Sequence, residues 1–370
     1  MNNQPEYSQF KATLAITRAS LRSIFRSPSA VVFSLAFPLI FIVVFGFIGG
    51  GNVRVDVGLD KKSDTTNILF KILDGENSGV NLINYSTEEL MNSELKKGNI
   101  AAIINIQPLD ATGNGKLKVA LQLCDASGRN GKIFQSQLMA IVSNINSMGT
   151  PVADMKIQMS PPTIIEGRAY KSIDFILPGQ LGFSLLASGV FGTAFVFFSL
   201  RQTLVLKRFF ATPIKRSGIV LGEALARLIF AMMGSVVIIL IGKFAFGFTL
   251  IHGMITFINM LILCALGLIV FMGFGFVVSG LAKNESSIPP LANIITMPQF
   301  LLAGTFFSIS NFPSWLQPVC KILPLTYLND ALRKIAFEGQ GLWDVHTQIL
   351  IILGWGVAVY ILAIKVFRWE

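Results

Sequence analysis

The chain has 370 residues, of which 52% are apolar and only 14% charged, with a formal net charge of +10. Soluble domains carry about 25% charged residues, so this composition excludes an ordinary soluble protein and points to a membrane protein. The positive charge fits nucleic acid or an anionic membrane equally well, and only its distribution along the chain separates the two.

Residues 8–27 sort, at 100° per residue, into an apolar sector (Phe10, Leu14, Leu21, Ile24, Phe25) beside a basic one (Lys11, Arg18, Arg22, Arg26). Residues 1–28 are therefore read as a cytoplasmic amphipathic helix lying in the membrane interface. The apolar run 29–48 follows, long enough to cross ~30 Å of hydrocarbon. A cleaved signal peptide would have a shorter basic region and an Ala-x-Ala site, which does not follow Phe47, so 29–48 is read as a retained first span.

Residues 51–172 change character, with 13 basic against 12 acidic residues. Strand-like runs (Val53–Leu59, Val80–Tyr85, Ile100–Ile106, Leu117–Leu123) alternate with helical ones (Thr65–Leu73, Thr87–Lys97, Lys132–Asn146), separated by Gly, Asn and Ser. This predicts a small α/β domain. Because the first span starts inside, the domain is expected outside the cytoplasm; Met148–Pro162 has few regular features and leads back to the membrane.

Five further spans are expected at 175–199, 218–246, 254–281, 288–308 and 347–367. The second opens with Asp174-Phe-Ile-Leu-Pro-Gly179, where Pro178 and Gly179 mark a helix start or a local break. Between the second and third lies Arg201–Arg216, with five basic residues and no acidic one. Together with the basic residues before the first span and Lys365 and Arg368 after the last, this is the positive-inside pattern, with both termini cytoplasmic. Charge concentrated at span ends argues for membrane lipids as the partner and against nucleic acid. A short outer turn near His252 joins the third and fourth spans, and Leu281–Ser287 lies on the cytoplasmic side. The stretch 309–346, broken by three prolines, reads as short helices in the outer leaflet. The fold class is thus an α-helical polytopic membrane protein of six transmembrane helices with an inserted small α/β extracytoplasmic domain.

The chemistry is sparse. No Gly-x4-Gly-Lys-[Ser/Thr] loop occurs, since the nearest fragment, Gly113-Asn-Gly-Lys116, lacks the first glycine and runs into Leu117. No His/Cys/Asp/Glu set has metal spacing, and with two histidines in all, His252 and His346, no catalytic set is recognisable. No metal, cofactor or catalytic residue is assigned. The cysteines Cys124, Cys264 and Cys320 read as isolated apolar residues, with a Cys124–Cys320 disulfide as the alternative. Glu223 and Arg227, four apart on the third span, read as an intramembrane ion pair, structural or functional. Gly182, Gly189 and Gly192 on the second span, and Gly273, Gly275 and Gly280 on the fourth, are spaced for close helix approach.

In chain order, Leu206-Lys-Arg-Phe-Phe-Ala-Thr-Pro213, Phe300-Leu-Leu-Ala-Gly-Thr-Phe-Phe307, Phe312-Pro-Ser-Trp-Leu316, Leu323-Pro-Leu-Thr-Tyr327 and Ala331-Leu-Arg333 together resemble the type-2 ATP-binding-cassette (ABC) exporter permeases. The likeness is to the subgroup with a soluble domain between the first two spans, and Leu95-Lys-Lys-Gly-Asn-Ile-Ala-Ala-Ile-Ile104 and Leu123-Cys-Asp125 resemble pieces of that domain. It implies a type V ABC exporter-like fold in a bacterial cytoplasmic membrane, paired with a second permease copy or paralogue. It also implies an ABC ATPase subunit, which carries the ATP and Mg. A coupling helix at 200–213 would dock that subunit through Leu206, Lys207, Arg208, Phe209, Phe210, Ala211, Thr212 and Pro213. The residues support this unaided: Pro213 stops a helix, and Leu206, Phe209 and Phe210 offer apolar contact, while the basic residues alternatively rest on anionic headgroups. The family often has an acidic residue and a Gly-Thr pair just before this motif, and here Arg201-Gln-Thr-Leu-Val205 stands instead. Lys283 and Glu285 are candidates for a second, smaller cytoplasmic contact, or a solvated loop. Gly304, Trp315, Pro324, Tyr327, Asp330 and Arg333 form an outer gate or re-entrant segment, or else an aromatic belt at the interface.

The expected function is the permease subunit of an ATP-driven exporter of an amphipathic or lipid-like substrate, not itself an enzyme. A secondary transporter would show inverted repeats, which the halves lack. A membrane anchor or surface receptor working through its outer domain is the alternative.

Overall fold

The computed structural model describes residues 8–26, 36–48, 55–75, 78–109, 116–147, 157–165, 171–202, 214–309 and 312–366. The chain divides into two units, Met1–Gly49 with Ser172–Glu370, and Gly50–Lys171.

Helix α1 (Gln9–Phe25) starts at an N-cap, where Ser8 accepts a hydrogen bond from the Lys11 amide. After it comes α2 (Phe37–Ile48), a wholly apolar segment.

The unit Gly50–Lys171 is built on a mixed sheet in the order β2-β1-β3-β4-β5, with β6 also paired to β4. Strand β1 (Val55–Leu59) leads through α3 (Ile68–Leu73) to β2 (Val80–Asn84), which lies parallel beside it. Helix α4 (Glu88–Lys97) then crosses to β3 (Ala102–Pro108), parallel on the other side of β1. Strand β4 (Leu117–Cys124) returns antiparallel, α5 (Gly128–Ser147) comes next, and β5 (Ile157–Met159) and β6 (Thr163–Ile165) pair with β4.

Alternation along the strands buries both faces. Val57, Ile104, Ile106, Val119 and Leu121 pack with Leu69 and Leu73 of α3 and Phe134 and Leu138 of α5. Ile103 turns to the opposite face, where it meets Met91 and Leu95 of α4 and Cys124. Thr87 caps α4, acidic residues fill its first turn, and Gly98 ends it in the left-handed region at φ 77°. A Cβ at Gly98 would lie 2.7 Å from the Ala126 carbonyl oxygen. Gly98→Ala is therefore expected to destabilise this unit by about 1–3 kcal/mol, read as a lowered Tm of the isolated 50–171 fragment or of its transition in the full chain.

The second unit continues with α6 (Ser172–Gln202), α7 (Arg216–Phe246), α8 (Met254–Leu281), α9 (Ile288–Leu302), α10 (Pro324–Arg333) and α11 (His346–Val366). Among the described residues, α6, α7, α8 and α11 are long and apolar enough to cross a membrane. Residues 288–308 differ from the expected span: α9 has only 15 residues, and the chain turns at Gly304, where φ is +69°. The cause of the break is the positive φ at Gly304, a conformation that glycine alone adopts without steric cost. Of the expected first span, 29–35 lies outside the described residues.

Pro178 lies inside α6 and is not a break. The pitch of that helix changes instead at a π-helical turn, Ser188–Gly192. The glycines there mark close approaches: a Cβ at Gly189 would lie 2.8 Å from Cβ of Phe271 on α8, and one at Gly275 2.6 Å from Cβ of Thr193. Helix α1 packs along the start of α7. Thr13 faces Gly218, Ile16 faces Gly222, Ser20 donates to Glu223 at 2.5 Å, and the rings of Phe25 and Phe230 meet edge to face at 5.4 Å. The face that packs is thus Thr13, Ile16 and Ser20, while Phe10 and Leu14 of the apolar sector stay exposed. Along α7, Leu221, Leu225, Ile229, Met233 and Val237 form an exposed stripe at a spacing of four, the surface a bilayer would cover.

Candidate functional site

The expected outer segment resolves into a clasp between α6, the end of α9 and α10. Three residues of α10 spaced by four, Leu325, Asn329 and Arg333, face the end of α9. The Leu325 amide donates to Oε1 of Gln299 at 3.3 Å, and Nδ2 of Asn329 donates to the Ala303 carbonyl at 3.1 Å. Nη2 of Arg333 donates to the Gly304 carbonyl at 2.6 Å. The same guanidinium reaches α6: Nε and Nη2 donate to the Phe175 carbonyl at 3.1 and 2.9 Å, and its carbon lies 3.6 Å from the centre of the Phe175 ring. The planar fork allows one side chain to join three elements in this way. Hydrogen bonds to a charged donor contribute about 1.5–3 kcal/mol each, so this one residue holds the clasp more firmly than any neutral neighbour.

Close backbone approach completes it. A Cβ on Gly179 would lie 2.4 Å from the Thr305 carbonyl oxygen, and one on Gly182 2.2 Å from Oδ1 of Asn329. Phe183 packs against Phe300 with ring centres 4.1 Å apart and planes tilted by 43°. At the start of α6, buried Asp174 accepts from the Thr249 amide at 2.8 Å and hydroxyl at 3.2 Å, tying in the turn between α7 and α8.

Of the residues expected in the outer segment, Gly304 and Arg333 belong to this clasp. Pro324 opens α10 and is buried, a position where its missing N–H costs nothing. Asp330 faces the other way, meeting Lys334 at 3.0 Å and accepting from Gln348 of α11 at 2.7 Å. The Tyr327 hydroxyl donates to the Lys321 carbonyl at 2.6 Å. Trp315 is 74% exposed and stands apart. Sequence reasoning missed Asn329, Gly179, Phe175 and Gln299. The fourfold spacing of Leu325, Asn329 and Arg333 was a signal, but nothing in it indicates that carbonyl groups lie opposite.

Leu206, Lys207, Arg208, Phe209, Phe210, Ala211, Thr212 and Pro213 lie outside the described residues. Lys283 and Glu285 are exposed, on a turn where Asn284 and Ser287 form a capping box before α9. Glu223 and Arg227 are each 7% exposed. They do not make the expected direct pair: among the described residues no contact within 4.0 Å joins them, Glu223 takes the Ser20 hydroxyl, and Nη1 of Arg227 points to Gly192, 2.1 Å from where a Cβ would stand. The two charges still attract each other, Glu223 with Ser20 of α1 beside it and Arg227 with Gly192 of α6 beside it, so the pair is a longer-range one rather than a direct contact. Cys124, Cys264 and Cys320 are each buried free thiols within their own units.

The model of the ABC-2 family transporter protein matches residues 28–365. The chain belongs to the ABC-2 transporter family. Over 97% of its length it is 22% identical to ABC transporter G family member 20 of Dictyostelium discoideum, of which it spans 51%. It is 20% identical to the probable multidrug ABC transporter permease YbhS of Escherichia coli, with 86% of each chain covered. Over 41% of each chain it is 24% identical to the probable multidrug permease YbhR of the same organism. It spans about half the length of the first of these relatives and most of the second. Its four long apolar helices fit a multi-pass membrane protein of this family, and the clasp sits within the part that the family model covers.

Proposed function

We propose that this ABC-2 permease is the membrane half of an ATP-driven exporter for an amphipathic or lipid-like molecule. A separate ABC ATPase subunit binds ATP and Mg and docks on 203–213, and two permease chains, identical or paralogous, line the path. In this reading 29–48 and the α9 region complete six crossings, the termini are cytoplasmic, the membrane is a bacterial inner membrane, and Gly50–Lys171 is outside. The observation that carries it is the family match over 28–365, joined to the lack of a phosphate-binding loop within residues 1–370, which leaves the energy to be supplied from outside these residues. The multidrug naming of the Escherichia coli relatives and the sparse charge of the spans support an amphipathic cargo.

The clasp supports the outer gate. Arg333, Asn329 and Gly179 couple α6 to the turn after α9, so a tilt of α6 opens or closes the outer end as a rigid-body switch. Co-expression of the tagged permease with an ABC ATPase encoded beside it, and purification through the permease, tests the proposal. Retained ATPase whose hydrolysis depends on the permease supports it. A wild-type permease that neither retains nor alters the ATPase overturns it and leaves the surface-anchor reading.

A further inference from the structure

Arg201 lies in the last turn of α6, two residues before the segment proposed to dock. Its Nη2 donates to the Ala282 carbonyl at 2.9 Å, and its guanidinium lies 5.3 Å from the centre of the Phe198 ring. Ala282 caps α8 in extended geometry (φ −67°, ψ 126°), so its carbonyl has left the helical ladder and lies at the negative end of the helix dipole. A cation there is stabilised twice, by the hydrogen bond and by the dipole.

The connection from Ala282 to α9 is short and ordered. The Asn284–Ser287 capping box opens a single 3-10 turn, and α9 begins at Ile288, which is fully buried. The preceding turns of α6 are fixed as well, since Phe197 and Phe276 of α8 are 4.6 Å apart and Thr193 abuts Gly275. Helix α6 is thus bound to both ends of α9. Arg333 joins Phe175 to Gly304 at the outer end, and Arg201 joins the last turn of α6 to the loop that leads into α9 at the other.

We infer that Arg201 is a positioning residue that pins the 282–287 loop to α6, so that displacement of 203–213 moves α6 and α9 as one body. This rests on the docking of an ATPase at 203–213 proposed for this chain. It explains how a single docked segment shifts two transmembrane elements together, whether or not Lys283 and Glu285 add a second contact. Arginine suits the position because its guanidinium lies over the Phe198 ring at cation–π distance while one nitrogen donates, and lysine offers a more compact point charge with less reach to do both.

The test uses pairs of spin labels and leaves the native cysteines in place, because all three are buried. Labels at Gln202→Cys and Lys283→Cys, both exposed positions, report the pin in the purified permease without any ATPase. The distance distribution is expected to be narrow in the otherwise wild-type protein. Arg201→Ala should broaden and lengthen it, and Arg201→Lys should restore it in part. A second pair, Ile294→Cys on α9 and Leu350→Cys on α11, 71% and 62% exposed, is read with the co-purified ATPase before and after trapping with ATP and vanadate. Arg201→Ala should keep the ATPase bound and hydrolysing but lose the trapped-state shift at α9, which a general loss of fold would not produce. An unchanged 202–283 distribution in Arg201→Ala overturns the pin, as does an α9 shift equal to that of the wild type. If the wild type retains no ATPase, the docking reading fails by itself, while the first pair still decides whether Arg201 holds the loop.

Discussion

Replacing Lys207, Arg208 and Phe209 together by alanine is expected to abolish permease-dependent ATP hydrolysis and to release the ATPase during purification. A docking helix binds through one or two apolar side chains seated in a pocket, each contributing about 2 kcal/mol or more, surrounded by a charged rim that contributes less. Losing such an anchor weakens binding about 30-fold, and losing rim charges with it extends the loss toward roughly 1,000-fold. The single variants separate this from a lipid role. If the basic residues rest only on headgroups, each is worth about 1 kcal/mol of membrane attraction, and Phe209→Ala alone leaves the ATPase bound. If the segment docks, Phe209→Ala alone causes most of the release, while exchanging Lys207 for Arg and Arg208 for Lys keeps it. An ATPase retained and stimulated by the triple variant would sink the docking assignment.

A single methyl group at Gly179 should have a comparable effect within the clasp. Its Cβ would lie 2.4 Å from the carbonyl oxygen of Thr305 and 3.0 Å from the Thr305 carbonyl carbon and Cα, so the obstacle is backbone that cannot rotate away. Helix α6 and the 303–305 turn must separate, which strains the bonds of Arg333 to the Phe175 and Gly304 carbonyls. Overpacking of this kind costs about 1–3 kcal/mol, and here it loosens the clasp as well. Gly179→Ala is expected to lower the Tm in detergent and to eliminate substrate-dependent stimulation of the ATPase. Gly354→Ala on α11 is the control, because a Cβ there meets nothing within 4 Å. Equal melting of the two variants would refute the close-packed clasp.

Much of the framework was legible because bilayer thickness and charge placement act on composition alone. Apolar length identified α6, α7, α8 and α11. The α/β alternation of 51–172 was legible for a similar reason, since period-two and helical patterns survive without knowledge of what they face. Expectation and structure part where a local feature depends on its neighbour. Gly304 lies within a run of eight residues, Phe300–Phe307, that is apolar but for Thr305, so hydropathy extended the helix past Leu302, where the structure ends it just before the positive φ at Gly304. Glu223 and Arg227 have the spacing of an ion pair and do attract each other, yet the close polar partner of Glu223 is Ser20 of another helix, which the spacing could not reveal.

The sequence by itself determined that this protein lives in a membrane, that it carries a separate mixed unit, that residues 1–370 hold no phosphate-loop motif, and that it resembles type-2 ABC permeases. Only the tertiary structure decided which face of α1 packs, what each glycine meets, and that Arg201 and Arg333 tie α6 to the two ends of α9. The physical reason is that within a bilayer hydrophobicity no longer distinguishes inside from outside. Helices there associate through small residues and hydrogen bonds to backbone carbonyls. A carbonyl has no side-chain identity, so the partners of Arg201, Asn329 and Arg333 appear only when the helices are brought together.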